Sequence, residues 1–452
     1  MINPEQDTTR FLSNHPDLVH LDVIVIDLCG NAVGKRLPVD SLQSVYKDGT
    51  PVCAAMQLVD VLGNTADPLG YGFSDGDPDG YAKPIHGAPV GVPWLGNSKC
   101  QLLCQLVEAS SGLPFWYDPR EILKNVIKRF DELPFKPVVA AELEFYFIDA
   151  QRQESGAPVA ITSPRTGARE SQGKVLSLDK LDEFEPLLTA VQEACLAQNI
   201  PATSMISEYG AGQFEINLAH QIDILAAADH AALLRRVVQG VARAAGHDAT
   251  FMSKPFPDES GNGFHVHVSL VDEAGENCFN PDRKSGDVFL SSAAAGLAAT
   301  MSEAMAIFAP NLNVYRRFKP DEFVPVTKDW GENNRSVAFR VPPSNPQNRR
   351  LEHRISGAEA NPYLVIAAVL AGIHHGLSQK LPGIEMASGN AGAQVDPSLP
   401  LTPWHSIDCF ANSRILPDYF SPDYVSLYSE VKREEFNAFM GSHFDREYLW
   451  YL

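Results

Sequence analysis

The sequence predicts an α+β fold, with a small β-rich N-terminal unit followed by a larger unit whose curved antiparallel sheet is surrounded by helices. Three observations predict it. Four short runs each alternate between an apolar face and a face crowded with Glu, His and Arg. Residues 50–115 are punctuated by Gly and Pro, with short strand-like stretches among them. Beyond them, helical and strand periodicities are mixed without the regular alternation of a parallel βαβ sheet, and no internal repeat is visible.

Residues 1–17 read as a polar, weakly helical lead-in. Residues 18–39 alternate well and break at Cys29-Gly30-Asn31, which predicts a hairpin. Short strands are expected near 54–61 and 101–107, with the first unit (18–115) ending near 112–118 and the second covering 116–452. Asp118-Pro119-Arg120-Glu121 supplies an N-cap, a proline in the first turn and a glutamate three residues on; Ile122, Val126, Ile127 and Phe130 continue that helix. The run 138–149 follows, rich in β-branched and aromatic residues. Strand alternation puts Glu142 and Glu144 on one face and Val139, Ala141, Leu143, Phe145 and Phe147 on the other. A polar loop is expected over 151–175 and helices over 179–198, 222–246, 289–308 and 361–379, the last opened by Asn361 with Pro362 at its first position. The C-terminal end reads as helical again.

Alone, the 138–149 run describes an amphipathic strand with its acids in water. The pattern recurs, however. Residues 213–218 set Gln213, Glu215 and Asn217 against Phe214, Ile216 and Leu218, and 264–270 set His265, His267 and Ser269 against Phe264, Val266, Val268 and Leu270. Residues 350–355 set Arg350, Glu352 and Arg354 against Leu351, His353 and Ile355. Converging polar faces would bring together unpaired charges at a cost on the order of several kcal/mol each. A divalent metal neutralises the acids, and phosphate neutralises the arginines.

Composition narrows the field. A net charge of −20 and a pI near 5.0 argue against a general nucleic-acid binder, whose footprint is a basic surface. Seven scattered cysteines suit reduced thiols in a cytoplasmic protein, and Cys100 and Cys104 lack the spacing of a zinc or redox pair. The polar, acidic N-terminus lacks a signal-peptide layout, and no stretch reads as long and apolar enough to cross a bilayer. Two motif mimics fail. Gly30 to Arg36 is one residue short of a P-loop and has Arg36 where the Mg²⁺-binding Ser/Thr belongs; Asp75 to Gly80 opens like a calcium loop but meets His86 where the twelfth-position Glu is required.

The candidate ligands are Glu142, Glu144, Glu208, Glu215, His265 and Glu352. An oxygen-rich set with one nitrogen suits Mg²⁺ or Mn²⁺, and six ligands are too many for one ion that also holds phosphate oxygens, so at least two ions are expected. Arg317, Arg335, Arg340, Arg350 and Arg354 offer paired N–H donors to phosphate or carboxylate. Phosphoryl transfer from a nucleotide is the chemistry such a set supports.

Six ordered motifs carry a family resemblance: AAELEFYFID (140–149), SEYGAGQFEINL (207–218), FMSKPFPDESGNGFHVHVSL (251–270), NVYRRFKPDEFVP (313–325), NNRSVAFRVP (333–342) and NRRLEHRISGAEANPYL (348–364). From about residue 18 onward the chain resembles glutamine synthetase, and most closely its γ-glutamylpolyamine synthetase-like branch. The resemblance implies that Glu144, Glu208 and Glu215 hold one ion and Glu142, His265 and Glu352 the other. It places His267, Arg335, Arg340 and Arg350 along the phosphates of ATP, and Gly261, Arg317 and Arg354 around glutamate. It gives Arg335 and Glu208 catalytic roles. It also implies a β-grasp N-terminal domain whose edge completes a neighbouring subunit's active site, in a homo-oligomeric ring of six or twelve. The implied chemistry is phosphorylation of the glutamate γ-carboxylate by ATP, followed by attack of an amine on the acyl phosphate.

Ammonia-using relatives carry a flap glutamate and an N-terminal aspartate that together bind ammonium. Here the first falls on Phe323, beside Glu322, and the second near Cys53. Carboxylates offset the desolvation of an ammonium ion; an aromatic and a thiol do not, and they offer apolar walls to a carbon-bearing amine. A primary organic amine is therefore expected, in a pocket formed by Cys53, Tyr209, Phe323 and Trp330. A true glutamine synthetase, with Glu322 in the missing glutamate's place, and a non-catalytic ring are the alternatives. Ser260 replaces the family's polar residue before Gly261, and the tyrosine loop adenylylated in some relatives has no counterpart around 380–400.

Overall fold

A computed structural model describes residues 4–85 and 87–442, so His86 and the ends of the expected lead-in and C-terminal helical region lie outside the described residues. The N-terminal strands are β1 (His20–Ile26), β2 (Ala32–Pro38), β3 (Thr50–Cys53), β4 (Asp79–Pro84), β5 (Val90–Gly91) and β6 (Lys99–Glu108). They form one sheet in the order β2-β1-β6-β4-β3, with β5 on β6. β1 and β2 are the expected hairpin, and β1 runs parallel to β6, giving the mixed sheet of a β-grasp unit. Gly30 turns the hairpin at φ +80°, and a Cβ there would lie 3.0 Å from Asn361 Cα, so both conformation and space require glycine. The strand expected over 54–61 is a 3₁₀ turn at Ala54–Gln57, with the strand just before it at Thr50–Cys53.

The second sheet holds β7 (Lys136–Asp149), β8 (Ala202–Ser207), β9 (Gln213–Leu218), β10 (His247–Thr250), β11 (Phe264–Val271), β12 (Trp330–Glu332), β13 (Phe339–Val341) and β14 (Leu351–His353). Its order is β12-β13-β14-β11-β7-β9-β8, with β10 also on β7. The long strand β7 is central, antiparallel to both β9 and β11. Its alternation is kept: Val139, Ala141, Leu143, Phe145 and Phe147 are all buried in the main core. Around the sheet run α1 (Pro4–Asn14), α2 (Leu42–Asp48), α3 (Pro119–Arg129), α4 (Leu178–Glu183), α5 (Glu185–Ala197), α6 (Ile224–Ala244), α7 (Gly286–Phe308) and α8 (Pro362–Ser378), with α9 to α11 between Pro403 and Gly441. The helix expected over 179–198 is split at Phe184, just before Pro186 in the first turn of α5.

A further expectation is corrected. α7 is, by length and composition, apolar enough to span a bilayer. Here it packs on α8, and both contribute heavily to the main core. Gly296 lets the two helices meet closely, because a Cβ there would come within 2.1 Å of the Gly372 carbonyl oxygen.

Candidate active site

Register brings the charged residues together. Glu142 on β7 lies opposite His265 on β11 and Asn217 on β9, Glu144 lies opposite Glu215, and Glu352 on β14 faces both His267 and Arg340. Because side chains alternate, all of these project from one face of the sheet into a cavity of about 1130 Å³. His353, between Glu352 and Arg354, points the other way and packs at a tilt against Phe308 with ring centroids 4.3 Å apart.

Two groups within the cavity are compact enough for a divalent cation: Glu142, His265 and Glu352, and Glu144, Glu215 and His265, each with ligand atoms all within 4.8 Å of one another. Glu208 lines the same cavity outside these triads. The donors fit a hard divalent ion, being carboxylate oxygens with one imidazole. Gly263 lets these ligands close in: a Cβ there would come 2.9 Å from His265 Nε2, while the Gly263 N–H donates to Glu144 Oε2 at 2.7 Å.

The two halves differ electrically. Burial works to raise Glu142, but His267, whose Nε2 is 2.7 Å away, and His265 outweigh it and hold the carboxyl well below its usual range. Burial of Glu352 is likewise outweighed by Arg354, His267 and His265, which bring it down to about 2; it accepts from Arg340 Nη1 at 2.9 Å and from Arg354 Nη1. In the other half the nearby cations do not prevail: Arg335 and Arg354 pull Glu208 down but are outweighed. Burial, with Glu144 beside it, pushes Glu208 up to about 8, and burial with Glu142, Glu144 and Glu208 raises Glu215 well above the usual range. A positive ion is what that half lacks.

Arginines close the other wall. Arg317, Arg340 and Arg354 are buried, and the Nε–H of each has no acceptor among the described residues. Buried donors without partners are rare, so three facing one cavity mark a place for an anion. Burial pulls Arg317 down to about 10 against the field of Glu144. Gly261 packs on it: a Cβ there would lie 2.8 Å from Arg317 Cγ. Arg350 Nε donates to His267 Nδ1 at 3.0 Å, and Arg335 lines the cavity from an exposed position.

Of the four expected amine-pocket residues, Tyr209 and Phe323 line the cavity, half-exposed and stacked with centroids 6.0 Å apart. Trp330 does not line it: it is buried on β12 and its Nε1 donates to the Ile384 carbonyl at 2.9 Å. Cys53 sits exposed at the end of β3, outside this chain's cavity. Sequence reasoning gave no role to His220, Lys254 or Glu259, which also line it. His220 follows the end of β9 and so falls outside the strand's period, yet it lies edge-on to His267 at 6.3 Å. Lys254 and Glu259 sit in the loop before β11, where periodicity carries no signal.

Comparison with known proteins gives one answer. The family described as "Glutamine synthetase, catalytic domain" matches residues 116–451. The chain is 36% identical to gamma-glutamylputrescine synthetase PuuA of Escherichia coli (strain K12), over 99% of this chain and 94% of that one. It is 31% identical to glutamate–isopropylamine ligase of a Pseudomonas species, over 93% and 92%. The solved structure of GmaS in complex with ADP superposes with a TM-score of 0.81, covering 96% of this chain and 97% of that one; at 23% identity it speaks for the fold alone.

Proposed function

Because the chain belongs to the glutamine synthetase family and is an ATP-dependent ligase that forms amide bonds, we propose that it joins the γ-carboxylate of glutamate to a primary organic amine through a γ-glutamyl phosphate. The observation that carries the choice of amine is the Tyr209–Phe323 pair at the cavity, an apolar surface where an ammonium site needs carboxylates. The two relatives above are named for putrescine and isopropylamine, which supports a carbon-bearing acceptor and makes a diamine the first candidate.

In this reading Glu144, Glu208 and Glu215 would hold one ion and Glu142, His265 and Glu352 the second, Mg²⁺ or Mn²⁺. Such ions supply positive charge to phosphoryl oxygens. Arg335, Arg340, Arg350 and His267 bind the ATP phosphates, and the forked donors of Arg335 stabilise charge that develops on the phosphoryl group. Arg317 holds the glutamate α-carboxylate through donors left unpaired in the protein, with Gly261 giving it room, and Arg354 steadies the γ-carboxylate. Phosphorylation turns a poor leaving group into phosphate, and the neutral amine then displaces it. Water has to be kept out meanwhile, which the buried arginine wall favours. We take residues 18–115 as the β-grasp domain and 116–452 as the catalytic domain, in a cytoplasmic homo-oligomeric ring of six or twelve where Cys53 reaches a neighbour's amine pocket. All seven cysteines stay unpaired, in keeping with that compartment.

A second reading, ligation of ammonia, is favoured by one feature: Glu322 lines the cavity beside Phe323, tied only loosely to Lys319 at 3.8 Å. An ADP-release assay with glutamate and ammonium, diamines, ethanolamine, alkylamines or aromatic amines separates the two. An organic amine is expected to exceed ammonium in kcat/KM by about tenfold or more, roughly 1.4 kcal/mol; turnover with ammonium alone overturns the reading. Glutamate without amine is expected to drive positional isotope exchange in ATP, and no exchange would remove the acyl phosphate.

A further inference from the structure

A second cavity, about 670 Å³, lies between the β1–β2 hairpin and one face of α6, and it shares no lining residue with the catalytic cleft. In a chain of net charge −20, its walls gather four guanidiniums, Arg36, Arg235, Arg236 and Arg243, against a single carboxylate, Glu359. The acids beside it do not balance them. Asp22 is shared between Arg36 and Arg236, and Asp248 between Arg243 and Arg152, so each carboxylate serves two cations. Glu359 is also engaged elsewhere, accepting from Ser253 N at 2.8 Å and from Asn311 Nδ2 at 2.7 Å.

The site is built and held rather than a chance crowd of surface charges. Arg235 is nine-tenths buried; its two Nη groups are anchored on the carbonyls of Glu359 and Ala360, while its Nε–H has no acceptor among the described residues. Burial pulls it down to about 10 against the fields of Glu359 and Asp27. Trp94 forms an apolar wall: Arg236 lies over its ring at 5.9 Å, and it packs so closely on α6 that a Cβ on Gly240 would come 2.3 Å from the indole Nε1.

We propose that this cavity binds a small anion bearing carboxylate or phosphate groups, bridging the hairpin to α6. Guanidinium forks match the oxygen pairs of both groups, and the volume suits a metabolite-sized molecule. Such a ligand stabilises the joint between the N-terminal unit and the catalytic body by mass action.

Calorimetric titration of the full-length, Mg²⁺- and ADP-loaded protein at low ionic strength tests it, with succinate and inorganic phosphate as separate probes. Binding of succinate, of phosphate or of both is expected, and which of them binds tells carboxylate from phosphate chemistry. The double variant Arg36→Gln/Arg243→Gln, at two side chains 47% and 62% exposed, should fold normally and keep the wild-type ligation rate while losing affinity by about tenfold or more. If neither probe binds the wild type, or the double variant binds as tightly as the wild type, the proposal is overturned.

Discussion

Glu208 and Glu215 stand where burial and neighbouring acids favour the protonated carboxyl, whereas Glu142 and Glu352 are held ionised by histidines and arginines. A divalent ion bound by the first pair has to displace protons. Calorimetric titration of Mg²⁺ at pH 7 in buffers of different ionisation heat is therefore expected to show release of roughly one proton or more per chain; no release would contradict the assignment. Stability follows the same linkage. Both groups have folded pKa values above their unfolded ones, so their contribution is fully present below the ordinary glutamate range and is lost as pH rises through the folded values, about 8 for Glu208. The metal-free protein should accordingly melt progressively earlier from pH 5 to 8, and Mg²⁺ should reverse the loss. Gly263→Ala is a steric test of the same site: the added Cβ 2.9 Å from His265 Nε2 is expected to weaken Mg²⁺ binding by about tenfold or more with the circular dichroism unchanged. Unaltered metal affinity would show that His265 lies outside the site.

At the scale of elements, local chemistry decided which segments were legible. α3 opens as its sequence dictates, Asp118 accepting from Arg120 N and Glu121 N while also holding Gln57 Nε2 at 2.9 Å. Asp118→Ala is expected to cost about 1 kcal/mol for the cap and more for the orphaned Gln57, seen as an earlier thermal melt; an unchanged melt would mean the cap is dispensable. The four strands that announced the site were readable because each is long enough, or charged enough on one face, for a two-residue period to show. β12 and β13, three residues each, are too short for that period and are held by their neighbours. β8 sits at the sheet edge with Thr203 and Ser204 exposed, so no apolar stripe marks it. Trp330 looked like a pocket residue because a tryptophan beside a polar loop is ambiguous in sequence; its bond to Ile384 depends on a segment more than fifty residues away.

Across the whole molecule, the joint that fixes the N-terminal sheet to the larger unit was the least legible feature, because the contacts that hold it are long-range. Asn361 shows why. Its Oδ1 caps α8 by accepting from Tyr363 N at 2.9 Å, as its sequence position predicts. Its Nδ2 at the same time donates to the carbonyls of Asp27 and Leu28 at the end of the β1–β2 hairpin, which no local pattern foretells. Gly30 brings the hairpin turn against the same residue and against Arg235, at the mouth of the second cavity. One side chain therefore starts a core helix and secures the hairpin. Asn361→Ala removes the cap and two buried hydrogen bonds, together worth about 2 to 3 kcal/mol. The loss should concentrate in the joint: amides of residues 20–38 are expected to exchange faster with solvent while those of β7 and β11 keep their protection. Equal acceleration in both sheets would instead mean that the two melt as one cooperative body, with Asn361 merely one of many core contacts.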